Sequence, residues 1–298
     1  MRILILGVSG LIGHQLFKEL LQNHETFGVL HRKKKAYGNL KLFSGDNTIE
    51  GVDVNNFELL TGVINTVNPD VILNCSGITK RKINKDNILE PLRINALFPH
   101  KLAEWALLNK KRVIHFSTDC VFSGETGDYL EDSLTTAEDL YGRTKALGEI
   151  RYPHSLTIRS SFIGRELFDN TELLEWFLSQ DGKKIKGFKK TYYSGVSTIF
   201  MSKVVNKIIT EYPKLSGLYQ LAPEKAISKY ELLCIAKKAF NLNVEIYKNI
   251  AIIIILIIAS LPDCFIVCLA SSISPSISKL NDFSLKIVSI FSTIVCTE

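Results

Sequence analysis

A short apolar strand that runs straight into three glycines, each three residues after the last, limits this chain to very few folds. Arg2-Ile3-Leu4-Ile5-Leu6 reads as a buried strand, and Gly7-Val8-Ser9-Gly10-Leu11-Ile12-Gly13 follows it without a gap. A helix is expected next, from about Leu11 to Leu21. Glycine lets the backbone turn tightly and approach a ligand, while a helix amino end offers free N–H groups and a positive dipole to an anion. The segment therefore predicts a dinucleotide pyrophosphate seated on Gly7, Gly10, Leu11, Ile12 and Gly13.

Strand and helix signals then alternate in the order of a doubly wound parallel sheet. They predict an α/β fold of Rossmann type with a small mixed α/β substrate-binding cap. Thr26 to Leu30 is the second strand, Asp53 closes a short one, and Pro69 to Asn74 is another. Cys75-Ser76-Gly77 is a small-residue turn of the kind that admits a cofactor. Leu92 to Leu108 reads as a long helix carrying Asn95, Val113 to Phe116 as a strand, and Leu156 to Arg159 as a sixth strand. Ligands in such sheets bind beyond the carboxyl ends of the strands, so the segments after Leu6, Leu30, Asn74, Phe116 and Ile158 should share one rim. After residue 165 the pattern changes to helices and short strands that could cap this rim. The expected organisation is a dinucleotide-binding part, 1–165, and a substrate-binding part, 166–248, interleaved with it. Gly217 to Ala222 is a predicted strand of the second part, and Ser228 a predicted helix cap.

The end of the second strand speaks to the cofactor. A chain that prefers NAD usually carries Asp or Glu there for the ribose 2′-hydroxyl. This chain has His31-Arg32-Lys33-Lys34-Lys35. Arg32 could clamp a 2′-phosphate, so NADPH is expected, with NADH as the alternative. Lys34 and Lys35 read as a solvated loop.

Downstream lies Ser117-Thr118-Asp119, and then Tyr141-Gly142-Arg143-Thr144-Lys145. Residues four apart on a helix lie one above the other, so Tyr141 and Lys145 should be neighbours within the helical stretch Ala137 to Ile150. A nearby ammonium favours a phenolate, and Lys145 is expected to draw Tyr141 toward working pH as a proton donor or acceptor. Tyr37-Gly38-Asn39-Leu40-Lys41 repeats the spacing. It follows a Lys-rich loop, lacks an upstream Ser-Thr-Asp, and sits where no regular helix is predicted, so it reads as a decoy.

These motifs together resemble the extended short-chain dehydrogenase/reductases, and within them the dTDP-4-dehydrorhamnose reductase group of nucleotide-sugar enzymes. The resemblance rests on Gly7 to Gly13, Asn74 to Gly77, Ser117 to Gly124, Tyr141 to Glu149 and Ile158 to Ser161, and covers about residues 1–248. It implies Thr118, Tyr141 and Lys145 as the catalytic set. It also implies reduction of a sugar 4-keto group in the cytoplasm for surface polysaccharide assembly. Cofactor contacts would come from Asp53 and Val54 at the adenine, from Cys75, Ser76 and Gly77, and from Asn95, Ser117, Tyr141 and Lys145. Asp119, Val121, Phe122 and Ser194 are the substrate candidates, and a homodimer the candidate assembly. Cys120 departs from the Tyr common at its place in that group, which reads as a pocket or packing difference. An epimerase or dehydratase on the same scaffold, and a non-catalytic NADP-binding regulatory subunit, are the alternatives.

Composition separates the end of the chain from the rest. Residues 249–298 form an Ile- and Ser-rich tail, and from 250 on they hold 13 Ile and 9 Ser but none of the 18 glycines. Ile250 to Leu261 is an apolar run well short of the roughly 20 residues that span a bilayer. A reading-frame shift near residue 248 is therefore preferred to a membrane anchor. A net charge of +6 is spread widely, although Lys80-Arg81-Lys82 could favour an anionic substrate. No motif supports nucleic-acid recognition, and no secretory leader is evident before the glycine turn. Six cysteines and six histidines show no metal spacing and suit a reducing compartment.

Overall fold

A computed structural model describes residues 1–249, apart from Asn39 and Lys85. The frame-shift and anchor readings of the tail both lie outside the described residues.

The chain opens with β1 (Arg2–Leu6), α1 (Gly13–Leu20), β2 (Glu25–Val29) and β3 (Thr48–Ile49). It continues through α2 (Phe57–Val67) and β4 (Val71–Asn74) into an unbroken helical run. That run consists of α3 (Leu89–Pro91), a π-helical stretch over Leu92–Leu97, and α4 (Phe98–Leu108). β5 (Arg112–Ser117), α5 (Leu140–Leu147) and β6 (Ser155–Arg159) complete the first part. The chain goes on through β7 (Phe162–Ile163), α6 (Leu173–Leu178), β8 (Lys184–Phe188), β9 (Tyr192–Tyr193) and β10 (Val196–Ser197). Then come α7 (Thr198–Glu211), β11 (Gly217–Gln220), β12 (Ile227–Ser228), α8 (Lys229–Ala239) and β13 (Glu245–Asn249).

Seven strands form one parallel sheet in the order β11-β6-β5-β4-β1-β2-β3. The Rossmann-type expectation is met. Alternate side chains of a strand leave on opposite faces, and here both faces are covered, which explains why the strands read as continuous apolar runs. Ile3, Ile5, Ile114, Phe116, Leu156 and Ile158 pack on one side with Phe17 of α1 and Met201, Val205 and Ile208 of α7. Leu4, Leu6, Ile72 and Val113 pack on the other with Leu60 and Ile64 of α2 and Leu102 and Ala106 of α4. Strand order reverses between β1 and β4, which opens a crevice at their carboxyl ends.

The second part of the chain does more than cap the rim. β11 pairs with β6, Leu218 opposite Thr157, and so becomes the seventh strand of the central sheet, while α7 covers the sheet beside α1. The cap has a small core of its own in Leu174, Phe177, Ile185, Leu233, Ala236 and Val244. β13 runs parallel to β8 beside that core. Ser228 caps α8 in a reciprocal box: its hydroxyl accepts from the Glu231 N–H at 3.2 Å, and the Glu231 carboxylate accepts from the Ser228 N–H at 2.8 Å.

One local expectation is corrected. The strand thought to close at Asp53 ends at Ile49, because Asp53 turns the chain instead, its carboxylate accepting the Asn55 N–H at 2.9 Å. Among the described residues no helix is long and apolar enough to cross a membrane.

Phe177 is fully buried at the centre of the cap cluster. Phe177→Ala should cost about 3–5 kcal/mol of stability, read as a lowered midpoint of guanidinium unfolding.

Candidate active site

The crevice at the strand-order reversal is lined by two turns in contact. Gly7 has φ +74°, a left-handed conformation that only glycine adopts readily, and a side chain there would stand 3.0 Å from the Cys75 carbonyl and the Ser76 nitrogen. Its carbonyl accepts the Gly10 N–H at 3.0 Å, and a methyl group on Gly13 would lie 2.3 Å from the same oxygen. α1 therefore starts directly against the turn, with Ile12 buried and Leu11 half-buried beside it. Gly10 is exposed, and only the Gly7 carbonyl, at 3.3 Å, lies near the place its side chain would occupy. The result is an open edge of bare backbone at a helix amino end, which fits a pyrophosphate.

On the other side of the crevice the Cys75 N–H donates to Leu6 O at 3.0 Å, and the Ser76 N–H donates to Asn74 Oδ1 at 3.2 Å. Gly77 is exposed. Burial pushes the Cys75 thiol up, opposed in part by the Lys145 charge.

Arg32 is exposed just beyond β2, and its backbone N–H donates to the Tyr37 hydroxyl at 3.1 Å. Tyr37 itself lies in a short 3-10 turn, Lys34–Tyr37, and packs against Phe43 and Phe168. The spacing to Lys41 therefore makes no helical pair, and the decoy is a packing residue. Asp53 and Val54 follow on the same side of β1, Val54 half-buried against the α2 face.

Thr118 leaves the end of β5 and opens a 3-10 turn, Asp119–Val121. Its hydroxyl accepts from the Cys120 N–H at 3.2 Å and lies 3.3 Å from Asp119 Oδ1, to which it donates. α5 is capped by Asp139, whose carboxylate accepts the Gly142 N–H at 3.0 Å. A side chain on Gly142 would meet the Cys120 carbonyl at 2.2 Å, so glycine is what lets the first turn of α5 rest on the Thr118 turn. This contact brings Tyr141 beside Thr118, whose hydroxyl acts on the phenol. One helical turn later the Lys145 ammonium, only 6% exposed, donates to Phe116 O at 2.7 Å.

The electrostatics differ from the expected pattern. Burial raises the Tyr141 phenol above its usual range, the Cys120 thiol adds to this, and the Thr118 hydrogen bond works the other way. The expected lowering by Lys145 does not appear: the groups that act on the phenol are Cys120, Thr118, Asp119 and Glu172, and burial is the largest influence. Lys145 moves instead: burial lowers it to about 8, with Glu149 and Cys75 holding it up in part.

Behind this set lies a buried network. Glu149 accepts from Ser117 Oγ at 2.8 Å and from Arg159 Nε at 2.8 Å, and its other oxygen accepts from Arg159 Nη2 at 2.6 Å. The Arg159 guanidinium also lies 4.8 Å over the Phe122 ring, which stacks on Tyr129. Asn95, expected at the cofactor, is fully buried behind it. Its amide accepts from the Ile78 N–H at 2.8 Å and donates to Ile78 O at 3.0 Å and to Thr144 Oγ1 at 3.3 Å. It thereby braces the turn after β4 against α5. His115, also buried, lies 3.1 Å from the Asn74 amide, and burial keeps it well below the ordinary imidazole range.

Among the substrate candidates, Asp119 accepts from Ser161 Oγ at 2.5 Å. Val121 and Phe122 are buried in the wall rather than open to the crevice, and Ser194 is half-buried after β9. Two of the three cations in Lys80-Arg81-Lys82 are engaged elsewhere, Lys80 with Asp139 at 3.0 Å and Lys82 with Asp169. Two residues near the pair, Ser161 and Glu172, have no assigned role in the sequence, and Tyr193, from the aromatic stretch 191–195 that reads as either core or a reach toward the sugar nucleotide, joins them. No local spacing marks them, because they come from segments that meet only when the cap folds down.

The family described as the RmlD substrate binding domain matches residues 1–251. The chain belongs to this family. A dTDP-4-dehydrorhamnose reductase of Aggregatibacter actinomycetemcomitans is 26% identical over 239 residues, 77% of this chain and 76% of that protein. The methionine adenosyltransferase 2 subunit beta of Xenopus tropicalis is 24% identical over 256 residues, 81% of this chain and 72% of that one. Among solved structures, a hypothetical dTDP-4-dehydrorhamnose reductase from Sulfolobus tokodaii superposes with a TM-score of 0.67 at 26% identity, covering 85% of this chain and 87% of that one.

Glu149→Gln would leave the Arg159 guanidinium buried without its counter-charge. The expected loss is about 3–5 kcal/mol, measured by thermal or chemical denaturation.

Proposed function

We propose that this chain reduces the 4-keto group of a nucleotide-linked deoxysugar with NADPH, as a dTDP-4-dehydrorhamnose reductase-like enzyme of surface polysaccharide synthesis in the cytoplasm. The observation that carries the reading is the juxtaposition of Thr118 and Tyr141, set by the contact of Gly142 with the Cys120 carbonyl, with Lys145 one turn on, at the carboxyl edge of β5. The reductase from Aggregatibacter supports it.

NADPH, when bound, supplies the hydride. Gly7, Gly10, Leu11, Ile12 and Gly13 would hold its pyrophosphate, Arg32 its 2′-phosphate, and Asp53 and Val54 its adenine. Cys75, Ser76, Gly77 and Ser117 would line its remaining length, and Lys145 would hold the nicotinamide ribose. Burial keeps Tyr141 protonated at neutral pH, which makes it a proton donor to the carbonyl oxygen as C4 becomes an alcohol. Thr118 orients that oxygen and stabilises the phenolate left on Tyr141. Asp119 and Ser194 sit on the substrate side.

A second reading is favoured by the similarity to the Xenopus subunit beta: an NADP-binding regulatory subunit without turnover. NADPH would then raise the melting temperature while no 4-keto nucleotide sugar is reduced. An epimerase would likewise show no net NADPH oxidation, since it returns its hydride.

Assay of NADPH oxidation against a panel of 4-keto nucleotide sugars decides among these. Tyr141→Phe should lower turnover by roughly 10²- to 10⁴-fold with NADPH binding nearly intact, and equal activity in that variant would sink the assignment. Lys145 carries its proton below about 8 and sheds it above. Turnover that needs the ammonium should therefore decline as pH rises through about 8, and Lys145→Met should lack that alkaline limb in its pH profile.

A further inference from the structure

Tyr193 stands out as an unexplained group. Its hydroxyl is shielded from solvent and makes no hydrogen bond among the described residues. A buried donor with no partner costs stability, so such a group calls for an explanation.

The position of this phenol is specific. Tyr193 lies on β9, held in the cap by pairing with β12, where it stands opposite Ile227. A side chain on Gly195 would lie 2.3 Å from the Tyr193 hydroxyl and 2.7 Å from Ser161 O, so glycine leaves the phenol its room. Ser161 in turn holds Asp119, the neighbour of Thr118, at 2.5 Å. Asp119, Cys120 and Glu172 are the charged and titratable groups that act on Tyr193, and the same three act on Tyr141. Two phenols, one from the sheet side and one from the cap, thus share one set of neighbours.

We infer that Tyr193 is a substrate-positioning residue, whose hydroxyl donates a hydrogen bond to an oxygen on the sugar ring close to the carbonyl that Tyr141 protonates. This inference rests on the proposed reductase activity. Burial raises Tyr193 as it does Tyr141, so the group stays a neutral donor at working pH. It has no acceptor of its own to give up on binding, and the whole hydrogen bond is gained by the substrate. Aspartate and glutamate nearby disfavour an anionic group at this spot, which suits a sugar oxygen rather than a phosphate.

The test is Tyr193→Phe in the full chain, assayed beside wild type with NADPH and the 4-keto nucleotide sugar that wild type reduces. The expected result is a KM for the sugar nucleotide raised roughly three- to tenfold, with the NADPH dissociation constant unchanged. The melting temperature should be equal to or above that of wild type, because an unsatisfied buried donor has been removed. An unchanged KM in an active wild-type background overturns the inference alone. A fall in melting temperature together with weaker NADPH binding also overturns it, in favour of a packing role. Wild type that reduces no 4-keto nucleotide sugar overturns the proposed function, and the inference with it.

Discussion

A carboxylate removed from water, that of Glu149, joins three segments that the chain delivers from separate places. It follows the end of α5, accepts from Ser117 at the end of β5, and takes two hydrogen bonds from Arg159 at the end of β6. Burying such charges is costly, and the mutual hydrogen bonds are what make the burial tolerable. The geometry is two-pronged, which a lysine in place of Arg159 could not reproduce. With Phe122 under the guanidinium, the network also fixes the far side of the Thr118 turn. The register between Thr118 on its turn and Tyr141 on its helix therefore depends on an ion pair that touches neither.

Close approach of backbone does the rest of the positioning. Gly142 lets α5 rest against the Cys120 carbonyl, and Gly7 lets the turn after β1 meet the turn after β4. Asn95 ties that second turn to Thr144 of α5. The two halves of the site, the glycine turn and the Thr118 and Tyr141 pair, are thus linked through a buried amide rather than through solvent-exposed side chains. Burial sets the protonation states as well, holding Tyr141 as a phenol and loosening the proton on Lys145.

Much of this was legible in the residues. β1 and the glycine turn could be read because strand, turn and helix amino end are contiguous, and the helical pair Tyr141 and Lys145 because four residues make about one turn. The rival pair at Tyr37 was separated by context alone, and its 3-10 turn accounts for the difference. What stayed hidden was the placement of β11, which the linear pattern assigns to the second part of the chain and the sheet claims beside β6. Parallel pairing is decided by distant partners, so no local signal announces it. Asn95 shows the same limit, since its helix was readable but its hydrogen bonds to Ile78 and Thr144 were not.

By itself the sequence determined the fold class and singled out Thr118, Tyr141 and Lys145 as a set, because those follow from periodicity and from residues close together in the chain. Only the tertiary structure decided the protonation of those groups, the brace of Glu149 and Arg159, and the approach of Tyr193 from the cap. Desolvation and contact between segments separated along the chain are properties of the packed molecule, and no local spacing encodes them.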